Sequence, residues 1–104
     1  MTTPTFIAIL DFSTSATDRP AALAQLEHEQ PVVRAMPGCV DFRVFSHRDD
    51  DTGVTVLHEW TDTASFDRYL ASEAFTRSGE VLRPLMTGAP SSRRFRVESV
   101  EEVV

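Results

Sequence analysis

The chain has 104 residues, of which 41% are hydrophobic and 25% are charged, and its formal net charge is −6. This composition is typical of one globular domain, here over 1–104, and the acidic balance argues against nucleic-acid binding, which needs a basic surface. The single cysteine excludes an internal disulfide. No apolar run approaches the ~20 residues that span a bilayer, and residues 1–12 lack the features of a signal peptide, so we expect a cytoplasmic protein with no membrane partner.

A strand and a helix are the first predicted elements. Residues 5–12, "TFIAILDF", are dense in apolar and β-prone side chains and predict a strand. After a polar turn, one apolar stripe recurs at helical spacing: Ala22, Leu26, Val33 and Met36. The stripe predicts a helix over about 18–35, capped by Asp18 with Pro20 in its first turn. Pro31 is expected to kink this helix or divide it in two, because its ring disturbs the preceding turn.

A β-hairpin is predicted next. Pro37 and Gly38 end the helix, since the residue before a proline avoids helical angles and glycine accepts a reversed backbone. Alternating side chains predict a strand over 39–47, an Asp-rich turn follows at 48–53, and a second strand occupies 54–60. On the first strand, alternation puts Val40, Phe42 and Val44 on one face. On the second, it puts Val56, His58 and Trp60 on one face and Leu57 and Glu59 on the other.

The last third of the chain predicts two helical segments and a strand. Asp62 is a good N-cap, and apolar residues follow it at helical spacing: Phe66, Tyr69, Leu70 and Phe75. Ser72 is expected to cap a second segment over 72–88, which Gly79 and Pro84 weaken as one straight helix. Residues 91–100 predict the closing strand.

The predicted element order is β-α-β-β-α-β, with the second helix in two parts. This is the split βαβ arrangement of the α+β ferredoxin-like fold, a four-stranded antiparallel sheet with helices on one side. The other side of the sheet still carries apolar residues: Ile7, Ile9, Phe45 and Leu57. A large exposed apolar patch usually marks an interface, so we expect a homodimer that packs sheet on sheet.

The candidate site lies where the third strand delivers side chains to the space between sheet and helices. His58 is either the proton acceptor of a reaction, because histidine titrates near neutral pH, or a buried histidine held by one hydrogen bond. Trp60, with Tyr69 and Phe66, suits either stacking on a flat aromatic ligand or filling the core. Val56 and Phe42 complete the candidate lining by strand parity.

Several reaction types lack their usual residues. The chain has no G-x-S-x-G motif, and Cys39 has no neighbouring base in sequence. Its four glycines are isolated, so no phosphate-binding loop is predicted, and three scattered histidines do not predict a metal site. We therefore expect no nucleotide, no metal and no other cofactor.

Two segments, "MPGCVDFRVF" and "VLHEWTDTASFDRYLASEAF", resemble the antibiotic biosynthesis monooxygenase family. The shared features are Pro37-Gly38 before the second strand, a strand that ends in Trp60, and a helix that opens at Asp62. Ser72 and Phe75 match the family's second helical motif. The resemblance spans nearly the whole chain and implies a dimeric α+β barrel, whose members include quinol and anthrone oxygenases, haem degraders and isomerase-like enzymes.

The chain also departs from the family pattern. His58 stands where the family usually has glutamate, Tyr69 and Ala74 stand where many members have histidine, and Val56 replaces an asparagine of anthrone-oxidising members. Haem degraders carry tryptophan at the position of Tyr69 and histidine at that of Gly79, so haem degradation is not expected.

The resemblance implies an oxygenase that needs no cofactor and acts on an electron-rich aromatic or enolisable small molecule together with O2. In such chemistry the deprotonated substrate itself reduces O2, and the protein supplies a base, a dry pocket and orientation. Two alternatives remain open from the sequence. One is a non-catalytic dimeric module that binds a small ligand or supports a partner enzyme, and the other is an isomerase or cyclase on the same fold.

Overall fold

A computed structural model describes residues 3–103. Its elements are, in chain order, β1 (Phe6–Ser13), α1 (Arg19–Arg34), β2 (Cys39–Ser46), β3 (Gly53–Trp60), α2 (Thr63–Leu70), α3 (Glu73–Leu82), a 3₁₀ turn (Arg83–Leu85) and β4 (Ser91–Arg96). The four strands form one antiparallel sheet in the order β2-β3-β1-β4. The prediction of an α+β ferredoxin-like fold with a four-stranded antiparallel sheet is confirmed.

Three local signals position the helices that cover the site. Asp62 accepts a hydrogen bond from the backbone N–H of Ser65 at 2.7 Å, and Ser72 accepts one from Phe75 at 3.2 Å, so both predicted N-caps are confirmed. Gly38 has a φ of 85°, and a Cβ atom there would lie 2.0 Å from Oγ of Ser65. The turn into β2 therefore requires glycine both for its backbone angle and for its close approach to α2.

The first helix differs from its prediction in two respects. It runs without division from Arg19 to Arg34, although Pro31 lies inside it. Pro31 is exposed, so water can satisfy the carbonyl of Glu27 that its ring leaves without an intrahelical partner. Asp18 occupies the N-cap position with Pro20 in the first turn, but its own backbone is helical and its side chain makes no capping hydrogen bond.

The other boundaries shift by a few residues. The last α-helix ends at Leu82, because Pro84 fits the start of a 3₁₀ turn better than a helix interior. The final strand ends at Arg96 and not at residue 100. The register of the β2–β3 pair shifts between Cys39 and Asp41, so Val40 stands in a bulge and does not continue the Phe42–Val44 face as predicted.

The two faces of the sheet differ in burial. The face toward the helices holds the core, including Phe6, Ala8, Phe12, Val54, Val56 and Trp60, which pack against Ala22, Leu26, Val33, Phe66, Tyr69 and Leu82. The opposite face, called here the open face, carries Ile7, Ile9, Asp11, Asp41, Arg43, Phe45, Thr55, Leu57, Glu59, Arg93 and Phe95. Phe45 and Phe95 are 45% and 43% exposed, so the predicted apolar side of the sheet is indeed uncovered in a single chain.

Among residues 3–103, no helix combines the length and the apolar character that a membrane crossing requires.

Candidate functional site

A cavity of about 300 Å³ lies between the sheet and the helices. Five of the six residues predicted for the site line it: Phe42, Val56, His58, Phe66 and Tyr69. The remaining apolar lining comes mainly from Leu10, Leu26, Leu70, Phe75, Leu82 and Met86. This volume, with mostly apolar walls and few polar groups, is at the lower end of the range for small-molecule sites.

His58 is held at the cavity wall by one hydrogen bond. The residue is only 5% exposed, and its Nδ1 accepts the indole N–H of Trp60 at 2.8 Å. Since indole can only donate, Nδ1 must be unprotonated, and a neutral His58 therefore carries its proton on Nε2. Within the described residues Nε2 has no hydrogen-bond partner, which leaves this N–H for a ligand in the cavity.

The environment keeps His58 neutral. Burial lowers its pKa to about 4, and the positive charge of Arg94 contributes in the same direction. The base role predicted for His58 stays a prediction, and it would require the ring to release Trp60, because the neutral tautomer that accepts from Trp60 has no lone pair on Nε2. The hydrogen bonds favour the opposite role, in which His58 donates to an oxygen atom of a ligand.

Trp60 does not line the cavity, and of the two roles predicted for its ring the structure shows the one in which it fills the core. It is completely buried and lies outside the cavity lining, because it packs behind the residues that form the wall. Its ring stacks on Tyr69 at a centroid distance of 5.4 Å and meets His58 edge-on at 6.1 Å. The indole therefore positions the wall residues and fixes the His58 tautomer.

Tyr69 joins the cavity to a buried carboxylate that the sequence analysis missed. Its hydroxyl donates to Oε1 of Glu29 at 3.0 Å, and Glu29 is only 4% exposed. Burial raises the pKa of Glu29, while the hydroxyls of Ser78 and Tyr69 act in the opposite direction. Burial also raises the pKa of Tyr69, with the nearby Glu29 charge as the next cause, so Tyr69 remains a hydrogen-bond donor at neutral pH.

Arg94 on β4 is a second polar group that sequence reasoning did not single out. Its guanidinium lies 5.0 Å from the ring centroid of Phe66 and borders the cavity. The register pairs Arg94 with Ala8, which in turn pairs with His58, so the three residues share one face of adjacent strands. Arg94 therefore gives the His58 side of the cavity a positive potential that would favour an anionic ligand.

Nucleophilic or metal chemistry gains no support from the described residues. Burial raises the pKa of Cys39 to about 11, with Asp41 as the next cause, so this residue is a neutral thiol at physiological pH. No group of three or more histidine, cysteine, aspartate or glutamate side chains in residues 3–103 is placed to hold a metal ion.

The fold and this cavity define a small α+β domain with a largely apolar cavity between its sheet and its helices. A family model described as "Antibiotic biosynthesis monooxygenase" matches residues 5–80, and the chain therefore belongs to the antibiotic biosynthesis monooxygenase family. No curated protein matches the chain.

Solved structures agree with this assignment at the level of the fold. A protein described as an antibiotic biosynthesis monooxygenase is 19% identical with a TM-score of 0.82, over 92% of this chain and 99% of its own. Rv0793 from Mycobacterium tuberculosis is 16% identical with a TM-score of 0.82, over 95% of this chain and 98% of its own. PA3566 from Pseudomonas aeruginosa is 17% identical with a TM-score of 0.82, over 95% of this chain and 99% of its own. At these identities the similarity establishes the shared fold.

Proposed function

We propose that this protein is a cofactor-independent monooxygenase of an electron-rich aromatic or enolisable small molecule, of the quinol or anthrone type. The observation that carries the proposal is the apolar cavity with aromatic walls, into which His58 presents an N–H group next to the positive charge of Arg94. Aromatic walls suit a flat ring, and a donor beside a cation suits an oxygen atom on which negative charge develops.

The chemistry balances without a cofactor for a methylene group of the anthrone type. Removal of one C–H proton leaves the electron pair on the substrate as an enolate. The enolate transfers electrons to O2, a C–O bond forms, and the resulting peroxide anion takes up one proton from water to give a hydroperoxide. Loss of the second C–H proton together with hydroxide then gives the ketone and water, so that CH₂ and O₂ become C=O and H₂O.

The protein accelerates the first step of this reaction, the removal of the C–H proton. In solution the enolate is stabilised by water, whereas here the Nε2–H of His58 and the Arg94 guanidinium face the developing oxyanion inside a largely apolar cavity. Fixed donors of this kind need no reorganisation during the reaction, and their removal typically costs ~10²–10³-fold in rate.

The proposed assembly is a homodimer that pairs the open faces of two chains. Ile7, Ile9 and Leu57 are partly covered in the single chain, and Phe45 and Phe95 are strongly exposed, which supports a contact there. The family membership points in the same direction, since the resemblance of this sequence implies a dimeric barrel.

Oxygen uptake with 1,8-dihydroxyanthrone as the probe tests the proposed function. We expect one O₂ consumed for each anthraquinone formed, above the rate without protein, and unchanged by a chelator. His58→Phe keeps a ring at the cavity wall but removes the donor, and should lose most of the rate. Val81→Ser, on the exposed side of α3, is the matched control and should keep the parent rate of O₂ uptake.

The same assay separates the alternatives. A rearranged product without O₂ uptake would replace the proposal by an isomerase or cyclase. Tight binding of the probe without turnover would replace it by a ligand-binding module.

A further inference from the structure

A buried carboxylate separates the cavity from a second hollow on the outside of the molecule. Glu29 lines the interior cavity of about 300 Å³ and also an outer groove of about 350 Å³ between α1 and the first turn of α3. Yet its side chain is almost completely shielded, with 4% exposure. Glu29 therefore lies between the interior cavity and a groove that opens to solvent.

The hydrogen bonds of Glu29 leave part of its carboxylate free. Oε1 accepts from Tyr69, the Ser78 hydroxyl lies close enough to favour the charged carboxylate, and no salt bridge reaches Glu29 among residues 3–103. Ser78, on α3, is 3% exposed, and its Oγ has no other hydrogen-bond partner within residues 3–103. A buried carboxylate that has two hydroxyl groups nearby but no cation binds a proton readily.

We propose that Glu29 is the residue that takes the substrate proton, and that the outer groove returns this proton to solvent. The inference rests on the proposed function, and it assigns the base of that reaction. The substrate C–H or O–H bond breaks, its electron pair stays on the substrate as an enolate or phenolate, and an O–H bond forms at Oε2 of Glu29. Tyr69 keeps its hydrogen bond to Oε1 throughout, so Oε2 is the oxygen that receives the proton.

The position of Tyr69 fits a substrate between a donor and an acceptor. Its ring lies 5.5 Å from the His58 ring, centroid to centroid, while its hydroxyl contacts Glu29 at 3.0 Å. A small molecule lying along this aromatic ring would therefore meet the N–H of His58 on one side and the carboxylate on the other. Opposed donor and acceptor groups promote enolisation, because one stabilises the oxyanion while the other removes the proton.

The outer groove provides a route for the proton. After the reaction Glu29 is neutral and must lose its proton before the next turnover. Charged and titratable side chains surround its two cavities from each packed element: His28 on α1, His58 on β3, Tyr69 on α2, Glu73 and Arg77 on α3, Arg83 in the 3₁₀ turn, and Arg94 on β4. His28 and Glu73 lie at the exposed side, where water can enter.

The first test is independent of activity and compares the parent with Glu29→Gln. The amide keeps the acceptor for Tyr69 but cannot ionise. Burial raises the pKa of Glu29 in the folded protein above its unfolded value of 4.5. The stability that protonated Glu29 contributes is therefore fully present below pH 4.5 and is lost as pH rises through the folded pKa. We expect Glu29→Gln to gain stability relative to the parent as pH rises from 4.5, until the difference becomes constant at the folded pKa. Parallel stability curves would overturn the proposal.

The second test isolates proton transfer by excluding oxygen. Anaerobic mixing of the parent with 1,8-dihydroxyanthrone should produce the absorbance of the enolate. Glu29→Gln should bind the probe, seen as a change in Trp60 fluorescence, but form the enolate ~10²–10⁴-fold more slowly, which is the usual share of a general base. Glu27→Gln, an exposed carboxylate on the same helix, is the matched control and should behave as the parent.

The outcomes distinguish the two proposals. Enolate formation and O₂ uptake by Glu29→Gln at the parent rate would overturn the role of Glu29 and leave the monooxygenase proposal standing. A parent protein that forms no enolate and consumes no O₂ with the probe would overturn both.

Discussion

Trp60 donates its indole N–H to Nδ1 of His58 across 2.8 Å, from a position two residues further along the same face of β3. This single bond decides which nitrogen of His58 faces the cavity with a proton. It also explains why the strand ends with both residues: the buried indole fixes the imidazole, and the imidazole lines the cavity.

Substitution of His58 should separate the donor role from the base role. If His58 donates through Nε2, His58→Gln keeps an N–H donor and should retain far more activity than His58→Ala, which should lose ~10²–10³-fold. If His58 is the base, both variants lose ~10²–10⁴-fold alike. Equal, large losses would restore the base assignment. Nitrogen chemical shifts of the parent imidazole supply a check without turnover, with the proton expected on Nε2.

Acid should destabilise the protein through His58. Burial lowers its folded pKa to about 4 from an unfolded value of 6.5, so between these values the unfolded chain binds a proton that the folded chain does not. The stabilisation is present above pH 6.5 and is lost as pH falls toward 4, for a total of about 3 kcal/mol. The unfolding free energy of the parent, relative to His58→Gln, should therefore fall over this window.

A second replacement controls for local packing in that experiment. His58→Phe removes the hydrogen bond as well as the charge, so its stability differs from that of His58→Gln at every pH. Its dependence on pH should nevertheless follow the same course, because neither replacement titrates. A constant difference between the parent and both variants would show that His58 keeps an ordinary pKa.

Asp62→Ala should lower the thermal midpoint by ~2–8 °C, because it removes the side chain that accepts the backbone N–H of Ser65. Asp67→Ala, an exposed position in the same helix, is the control and should change the midpoint much less. Equal midpoints for both variants would mean that the cap contributes nothing measurable.

The fold could be read from the sequence because its signals are local and agree with one another. Alternation on β2 and β3, the caps at Asp62 and Ser72, and the turn at Gly38 all point to the observed elements. The bulge at Val40 could not be predicted, because it depends on how two strands pair.

The candidate site was only partly predictable. Strand parity and helical spacing found the cavity walls, but Glu29 was overlooked, although its spacing from Leu26 and Val33 places a carboxylate inside the apolar stripe of α1. That interruption was the available signal. The hydrogen bond between Trp60 and His58 could not be predicted from the sequence. Strand alternation places both residues on one face of the sheet, but it gives neither the distance between their rings nor how deeply each ring is buried.

The proposed dimer is tested by a charge on the open face. Leu57 pairs with Ile9 and Arg43 across neighbouring strands, in the middle of the apolar patch. Leu57→Glu would bury an additional carboxylate in a sheet-to-sheet contact, where the facing Arg43 is already paired with Asp41, and should convert the dimer to monomers. Val81→Glu, at a position 44% exposed on α3, should leave the assembly unchanged. Light scattering that gives a monomer mass for the parent at micromolar concentration would refute the dimer.

Tyr69→Phe should move the acid limb of the rate profile to higher pH. The Tyr69 hydroxyl donates to Glu29 and so favours its charged form, in opposition to the burial that raises its pKa. Without this donor the Glu29 pKa rises further, and a higher pH is needed to ionise the proposed base. The phenyl ring keeps the aromatic wall, so the loss of rate should be largest at low pH and should shrink as pH rises. The measurement is the initial rate of O₂ uptake with 1,8-dihydroxyanthrone from pH 5 to 9, corrected for oxidation without protein. A limb that stays in place, or a loss of rate that is the same at every pH, would show that Tyr69 does not act through Glu29.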